Sequence, residues 1–201
     1  MRKTSDTKSR IVTAAWKKFY EQGYENTTID DILEEAHASK GSFYHYFDGK
    51  DSLPASLGYL FDDKYAELEQ TMDPSLDPIE KLIFLNHELF LMIENTVAVD
   101  LLCRLFSSQL LSAERSLLDN NRIYYKLVRQ IAIEGQQKGL FKSEYTTNDI
   151  TKAYAMFERG LMYDWCISNG NYSLCQYSAQ MLPAFLNALI KQPAEQGAQM
   201  R

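Results

Sequence analysis

The chain has 201 residues, 45% of them hydrophobic, 24% charged and 12% aromatic, with a formal net charge of −6. That composition describes a globular protein with a sizeable core and excludes disorder, while nine Gly and five Pro are too few for a sandwich or barrel of many short strands. The longest apolar run, Leu89 to Ile93, is far short of the roughly 20 residues of a membrane helix. The basic start, Met1 to Arg10, lacks the apolar segment of a signal peptide, and three cysteines with no Cys-x-x-Cys pair point to neither a disulfide framework nor a zinc site.

A cytoplasmic location with no membrane, metal or cofactor is therefore expected. The charge is uneven. Residues 1–20 hold six basic side chains (Arg2, Lys3, Lys8, Arg10, Lys17, Lys18) against Asp6, whereas residues 1–50 hold eight of each sign, so the remainder carries the whole −6. A basic arm on an acidic body suits a polyanion bound at one end, or else is an ordinary solvated helix face.

Nearly every segment reads with helical period, which predicts an all-α fold of about nine helices. The first runs from about Ser5 to Gln22 on the stripe Ile11, Ala14, Ala15, Phe19, with Gly23 at its left-handed end. A short second helix starts after Thr28, with Asp31 completing a capping box. His37-Ala38 make a tight turn, and Ser39 caps a third helix that ends near Phe47. A fourth is expected from Asp51 to about Met72. Asp77-Pro78-Ile79-Glu80 starts a fifth, which reaches about Thr96. The sixth covers about Val99 to Leu111, the seventh about Glu114 to Lys138 with Gly139 closing it, and the eighth Thr147 to Asn169-Gly170. The ninth runs from Ser173 to before Pro193, kinked at Pro183. Pro193 to Arg201 is expected to fray.

Two short helices joined by a three-residue turn cross steeply, which is a helix-turn-helix, and the second enters the major groove. Ile29, Ile32, Leu33, Ala36, Ala38 and Phe43 lock the crossing. The outward residues Lys40, Gly41, Ser42, Tyr44, His45 and Tyr46 combine a cation, hydroxyls and an imidazole with a small residue that lets the backbone come close. Lys40 can read guanine, and the hydroxyls can reach phosphates or base edges. Thr27, Thr28 and Ser39 stand at helix N-termini suited to an anion, and Lys50 is a second clamp.

The runs Thr27-Thr28-Ile29-Asp30-Asp31-Ile32, Ala38 to Phe47 and Lys50-Asp51 resemble the DNA-binding domain of the TetR (tetracycline repressor-like) regulators. The specific similarity covers about residues 8–55. The resemblance implies a homodimer, a three-helix DNA-binding domain over residues 1–50 and a ligand-binding and dimerisation domain over residues 51–201. It also implies that Thr28, Lys40, Ser42, Tyr44, His45 and Lys50 meet DNA, with Tyr46 beside them. The family usually has Gly where His37 stands and a small residue where Leu33 stands. His tolerates a positive φ, so the turn is expected to survive.

The last two helices are apolar on two sides. One side carries Ile150, Ala153, Tyr154, Phe157, Leu161, Trp165, then Leu174, Tyr177, Met181, Phe185, Leu189. Off that side lie Met156, Met162, Ile167, Leu182, Leu186 and Ile190. A four-helix dimer interface that includes Leu161, Met162, Trp165, Met181, Phe185 and Leu189 is expected, the competing reading being a larger core. Asn86 interrupts the apolar stripe of the fifth helix, and either a ligand or a protein group could pair with it. Asn86, Phe90, Cys103, Phe106, Tyr125, Phe157 and Trp165 are the candidate ligand contacts. With no evident basic cluster to hold an anion, the expected inducer is apolar or aromatic.

The whole predicts a sequence-specific regulator of double-stranded DNA, a repressor of a palindromic operator released by a small molecule. Catalysis is not expected. Asp30, Asp31, Glu34 and Glu35 could bind Mg²⁺, but no second acidic cluster faces them, and no nucleophile–base set is evident. A ligand-free helical adaptor is the other alternative, and it predicts no salt-dependent DNA affinity. Cys166 and Cys175 read as a redox pair or, preferably, as buried structural thiols.

Overall fold

A computed structural model describes residues 3–111 and 116–191. Among these it has nine α-helices: α1 Lys3–Gln22, α2 Ile29–Ala36, α3 Lys40–Tyr46, α4 Leu57–Thr71, α5 Pro78–Thr96, α6 Val99–Leu111, α7 Ile123–Gln137, α8 Thr147–Ile167 and α9 Leu174–Leu189. The all-α expectation holds. The expected fraying of residues 193–201 lies outside the described residues.

Local chemistry sets most boundaries. The Thr28 hydroxyl accepts from the Asp31 N–H while the Asp31 carboxylate accepts from the Thr28 N–H, a full capping box. Asp77 with Glu80 and Thr146 with Asp149 repeat it at α5 and α8. His37 adopts φ 48° and ψ 49°, and the N–H groups of His37 and Ala38 return to the carbonyls of Glu34 and Leu33. The left-handed turn survives without glycine. Gly23 (φ 83°) and Gly139 (φ 69°) stand just past α1 and α7 as expected.

Three boundaries differ from the sequence reading. The fourth helix starts at Leu57, not Asp51, because Lys50–Ser52 and Pro54–Ser56 form 3-10 turns. Pro54 has no N–H to continue an α-helix, and both the N–H and the hydroxyl of Ser56 bond the Leu53 carbonyl. The seventh helix starts at Ile123 rather than Glu114, which lies outside the described residues. The Asp119 carboxylate accepts from the Asn121 N–H, a local turn that competes with helix. The ninth stops at Leu189, where the chain pairs with another segment instead: Lys142 N–H bonds the Leu189 carbonyl and Lys191 N–H bonds the Leu140 carbonyl, around a single bridge between Phe141 and Ile190.

Helices α1–α3 pack around Ile11, Ala15, Phe19, Ile32 and Phe43, all at 0% exposure. In the larger part α5 packs against α9, and α8 lies against α6, α7 and α9. Its core includes Leu82, Phe90, Leu101, Tyr154 and Leu186. Pro183 sits inside α9, with helix on both sides of it. No described helix is long and apolar enough to cross a membrane.

Candidate nucleic-acid interface and ligand cavity

Helix α3 is held by one face and offers the other. The Phe43 ring is fully buried against Phe47, and the Ser39 hydroxyl caps the helix by accepting from the Ser42 N–H. On the opposite face Ser39, Lys40, Gly41, Tyr44 and His45 are exposed, with Ser42 and Tyr46 half-buried beside them. Tyr44 is 56% exposed, its ring edge-on to Phe43 with centroids 5.4 Å apart and the rest of it open to water. The Lys40 ammonium pairs with Asp30 at 2.9 Å, and that hydrogen bond to the carboxylate makes Lys40 hold its proton more tightly than usual. Such a pair in open water contributes little and releases its cation readily. Lys17 and Lys18 both bridge to Glu35, fastening α1 to α2. Asp30, Asp31 and Glu35, three of the acidic residues considered for Mg²⁺, thus meet Lys40, Thr28 and the two lysines respectively.

Three residues expected to face DNA have structural jobs. Thr27 is 1% exposed and donates its hydroxyl to the Gly23 carbonyl. Thr28 is exposed, but its hydroxyl donates to Asp31 and accepts from the Asp31 N–H. Lys50 is the largest departure from the second clamp that was expected. Its ammonium donates to the carbonyls of Tyr24 (2.9 Å), Thr27 (3.0 Å) and Glu25 (3.4 Å) and lies 4.5 Å from the Tyr24 ring centroid. The cation braces the loop before α2 by satisfying carbonyls that have no helix to bond. The Tyr24 hydroxyl donates to Asp51 across the same junction.

The two parts of the chain meet at this brace. Arg104 of α6 also lies over the Tyr24 ring, 4.1 Å from its centroid, and pairs with Glu25. Trp16 donates its indole N–H to the Ser56 hydroxyl. One residue further along α6, Leu105 and Phe106 line a small cavity of about 30 Å³.

That cavity is walled by apolar side chains such as Phe61, Leu89, Leu105 and Met162, with Tyr65, Glu158, Arg122 and Arg159 among them. Glu158 is 2% exposed. It accepts from Asn86 (3.0 Å) and the Tyr124 hydroxyl (2.7 Å). Burial pushes its carboxyl above the usual range, against the downward pull of those hydrogen bonds. The Tyr65 hydroxyl is buried with no hydrogen-bond partner among the described residues. Burial and the nearby Glu158 charge push it well up.

Of the candidate ligand contacts, only Phe106 lines this cavity. The partners of Asn86 are protein groups, Glu158 and the Ser178 hydroxyl (2.5 Å). Phe90 is plain core, Phe157 stacks on Phe185 with centroids 4.6 Å apart, and Trp165 donates to the Tyr172 carbonyl. Tyr125 lines a separate outer groove, and its hydroxyl accepts from Arg159. The Cys103 thiol points at the Cys166 carbonyl, and burial pushes the Cys166 and Cys175 thiols up, as in structural rather than reactive thiols. Sequence reasoning missed Glu158 and Tyr65. The signal for Glu158 was available, since it falls four residues after Tyr154 and four before Met162, on the buried stripe of α8.

The expected interface residues also divide. Met162, Trp165 and Leu189 are at most 8% exposed within their own chain, and Leu161 and Phe185 are half-buried. Met181 alone of the six is exposed. The open face is instead Met156, Gly160, Tyr163 and Ile167 on α8 with Tyr177, Met181, Ala184 and Ala188 on α9. Both series step by four, three and four residues, so each forms one stripe.

Residues 11–57 match the family model described as bacterial regulatory proteins, tetR family. The uncharacterized HTH-type transcriptional regulator YxaF of Bacillus subtilis (strain 168) is 36% identical over 85 residues, 41% of this chain and 44% of that protein. The alignments with the first curated relatives span less than half of those proteins. The HTH-type transcriptional repressor KstR2 of Mycobacterium tuberculosis is 24% identical over 189 residues, 92% of this chain and 94% of that protein. The crystal structure of Thermus thermophilus FadR, a TetR-family repressor in complex with lauroyl-CoA, superposes with a TM-score of 0.68 at 19% identity, covering 94% of this chain and 98% of that one. The last likeness concerns the fold.

Proposed function

We propose that the chain is a transcription regulator of the TetR type, a homodimeric repressor of a palindromic operator, released by a small molecule with an apolar or aromatic body. Residues 1–50 hold the DNA and residues 51–201 hold the ligand and the partner copy; the protein works in the cytoplasm beside its operator and catalyses nothing.

The observation that carries this reading is the outward face of α3. Lys40, Gly41, Tyr44 and His45 are exposed on a short helix whose other face is locked by Phe43. A two-fold dimer through the α8 and α9 stripes covers Met156, Tyr163, Ile167, Tyr177 and Met181, which water otherwise meets. Gly160 has nothing within 4 Å of an added Cβ, so a partner helix can come close there. Such a dimer carries two α3 helices to half-sites about 34–36 Å apart. A ligand that swells the cavity pushes on Leu105 and Phe106, and Arg104 on the same helix passes the motion to Tyr24 and Glu25.

Selection of bound DNA from a random pool tests the reading. An inverted repeat with half-sites one helical turn apart is expected. Its affinity should fall by about 10³–10⁵ between 50 and 200 mM salt if 6–10 phosphates are contacted. A pool that yields no enrichment, or a single unrepeated site, overturns it.

A further inference from the structure

Next to the apolar cavity, between α7 and α8, lies a groove of about 590 Å³ lined by Tyr125, Lys126, Arg129, Lys152 and Arg159 with several neutral residues. Its charged lining is of one sign. In sequence these four cations form no basic run, which is why no anion site was expected. Lys126 and Arg129 stand three apart on α7, Lys152 and Arg159 two turns apart on α8, and the packing of α7 on α8 brings both pairs to one groove.

None of the four is held in a close ion pair among the described residues. Lys81, Arg104, Arg122 and Lys138 all form salt bridges, whereas Lys126, Arg129, Lys152 and Arg159 form none among the described residues. Arg129 donates to the Asn148 side chain and Arg159 to the Tyr125 hydroxyl, both uncharged acceptors. In a chain of net charge −6, four cations around a groove whose lining holds no carboxylate form a local positive field, which Asp149 near Lys152 and Glu158 near Arg159 offset only in part.

Arg159 joins the two spaces, since it lines both the groove and the apolar cavity. The cavity adds a polar anchor of its own in the buried, unpartnered Tyr65 hydroxyl. The order in space is therefore apolar chamber, guanidinium, cationic groove. The groove falls within the ~300–1,000 Å³ typical of small-molecule sites, far more than one carboxylate fills.

We propose that the inducer is an amphiphile, with an apolar acyl-like body in the cavity and a phosphate-bearing head of several negative charges along the groove. The cavity is about 30 Å³ as it stands, so the body enters by parting α6 from α8 at Leu105, Phe106 and Met162. The regulatory consequence rests on the repressor reading above; the binding itself does not.

Calorimetric titration of the full chain with lauroyl-coenzyme A, coenzyme A, laurate and 1-dodecanol tests this. Lauroyl-coenzyme A should bind tightest, because it alone fills both spaces. The double variant Arg129→Ala/Lys152→Ala, with both changes on the surface, should keep its thermal midpoint and its affinity for dodecanol. It should lose roughly tenfold or more for lauroyl-coenzyme A, at about a factor of ten per 1.4 kcal/mol of lost charge-assisted hydrogen bonding. Lauroyl-coenzyme A binding no tighter than dodecanol, laurate or coenzyme A overturns the proposal, as does an unchanged double variant. Operator binding is measured separately, without ligand. A protein that grips its operator and ignores lauroyl-coenzyme A refutes the ligand inference alone. One that takes lauroyl-coenzyme A and no DNA refutes the repressor reading alone.

Discussion

Replacing Lys50 by Met separates a brace from a clamp. The methionine keeps an apolar stem of similar length and removes the ammonium. Lost are the hydrogen bonds to the Tyr24 and Thr27 carbonyls at 2.9 and 3.0 Å, the longer one to Glu25, and the cation over the Tyr24 ring at 4.5 Å. Hydrogen bonds from a charged donor contribute about 1.5–3 kcal/mol each. Lys50 is half-buried, and water can replace it on part of the loop, so the net loss expected is about 2 kcal/mol. With a urea slope of about 1–3 kcal/mol/M, the unfolding midpoint should drop by roughly 1 M. Amides of the loop before α2 should exchange faster. Operator affinity falls only as far as α2 and α3 lose their setting, and the slope of log affinity against log salt stays unchanged. An unchanged urea midpoint, with a salt slope shallower by about one, would mean that Lys50 neutralises a phosphate and that the brace is misread.

Tyr44→Ala should weaken the selected operator by roughly tenfold or more and leave random DNA nearly untouched, in competition binding; equal losses would mean that Tyr44 only positions the protein. Glu158→Gln tests the buried carboxyl. Its folded pKa is raised, so its contribution to stability is present below the unfolded value of about 4.3 and is lost as pH rises through the higher folded value. The wild type should therefore lose stability relative to the variant as pH climbs from 4 upward in urea titrations, and parallel curves would sink the assignment. Arg104→Ala should leave operator affinity close to normal while blunting ligand-driven release by at least about fivefold. Release that is unimpaired would remove α6 as the link.

The caps and periodicities were legible because they are settled within one or two turns. Thr28 with Asp31, Ser39 with Ser42, and Asp77 with Glu80 pair at the spacing the sequence displays. The positive φ of His37 follows from a tight turn and a residue that tolerates it. The exposed face of α3 is likewise a matter of local spacing, since Phe43 at the centre of seven residues dictates which others point away.

What each polar group meets was decided elsewhere. Lys50 lies a single residue before Asp51 and reads as a helix-start cation, yet its acceptors are more than twenty residues upstream. Asn86 reads as an unmet amide until α8 and α9 deliver Glu158 and Ser178. Met162 and Trp165 look as free to face a partner as Met156 and Tyr163 do, and only the packing of α8 on α6 and α9 says which pair is buried. Lys126 and Lys152 become neighbours only once α7 and α8 are docked. Helix formation and capping depend on contacts three and four residues apart, which a linear string records. Charge pairing, burial and the shape of a cavity depend on which helices touch, and that choice belongs to the fold as a whole.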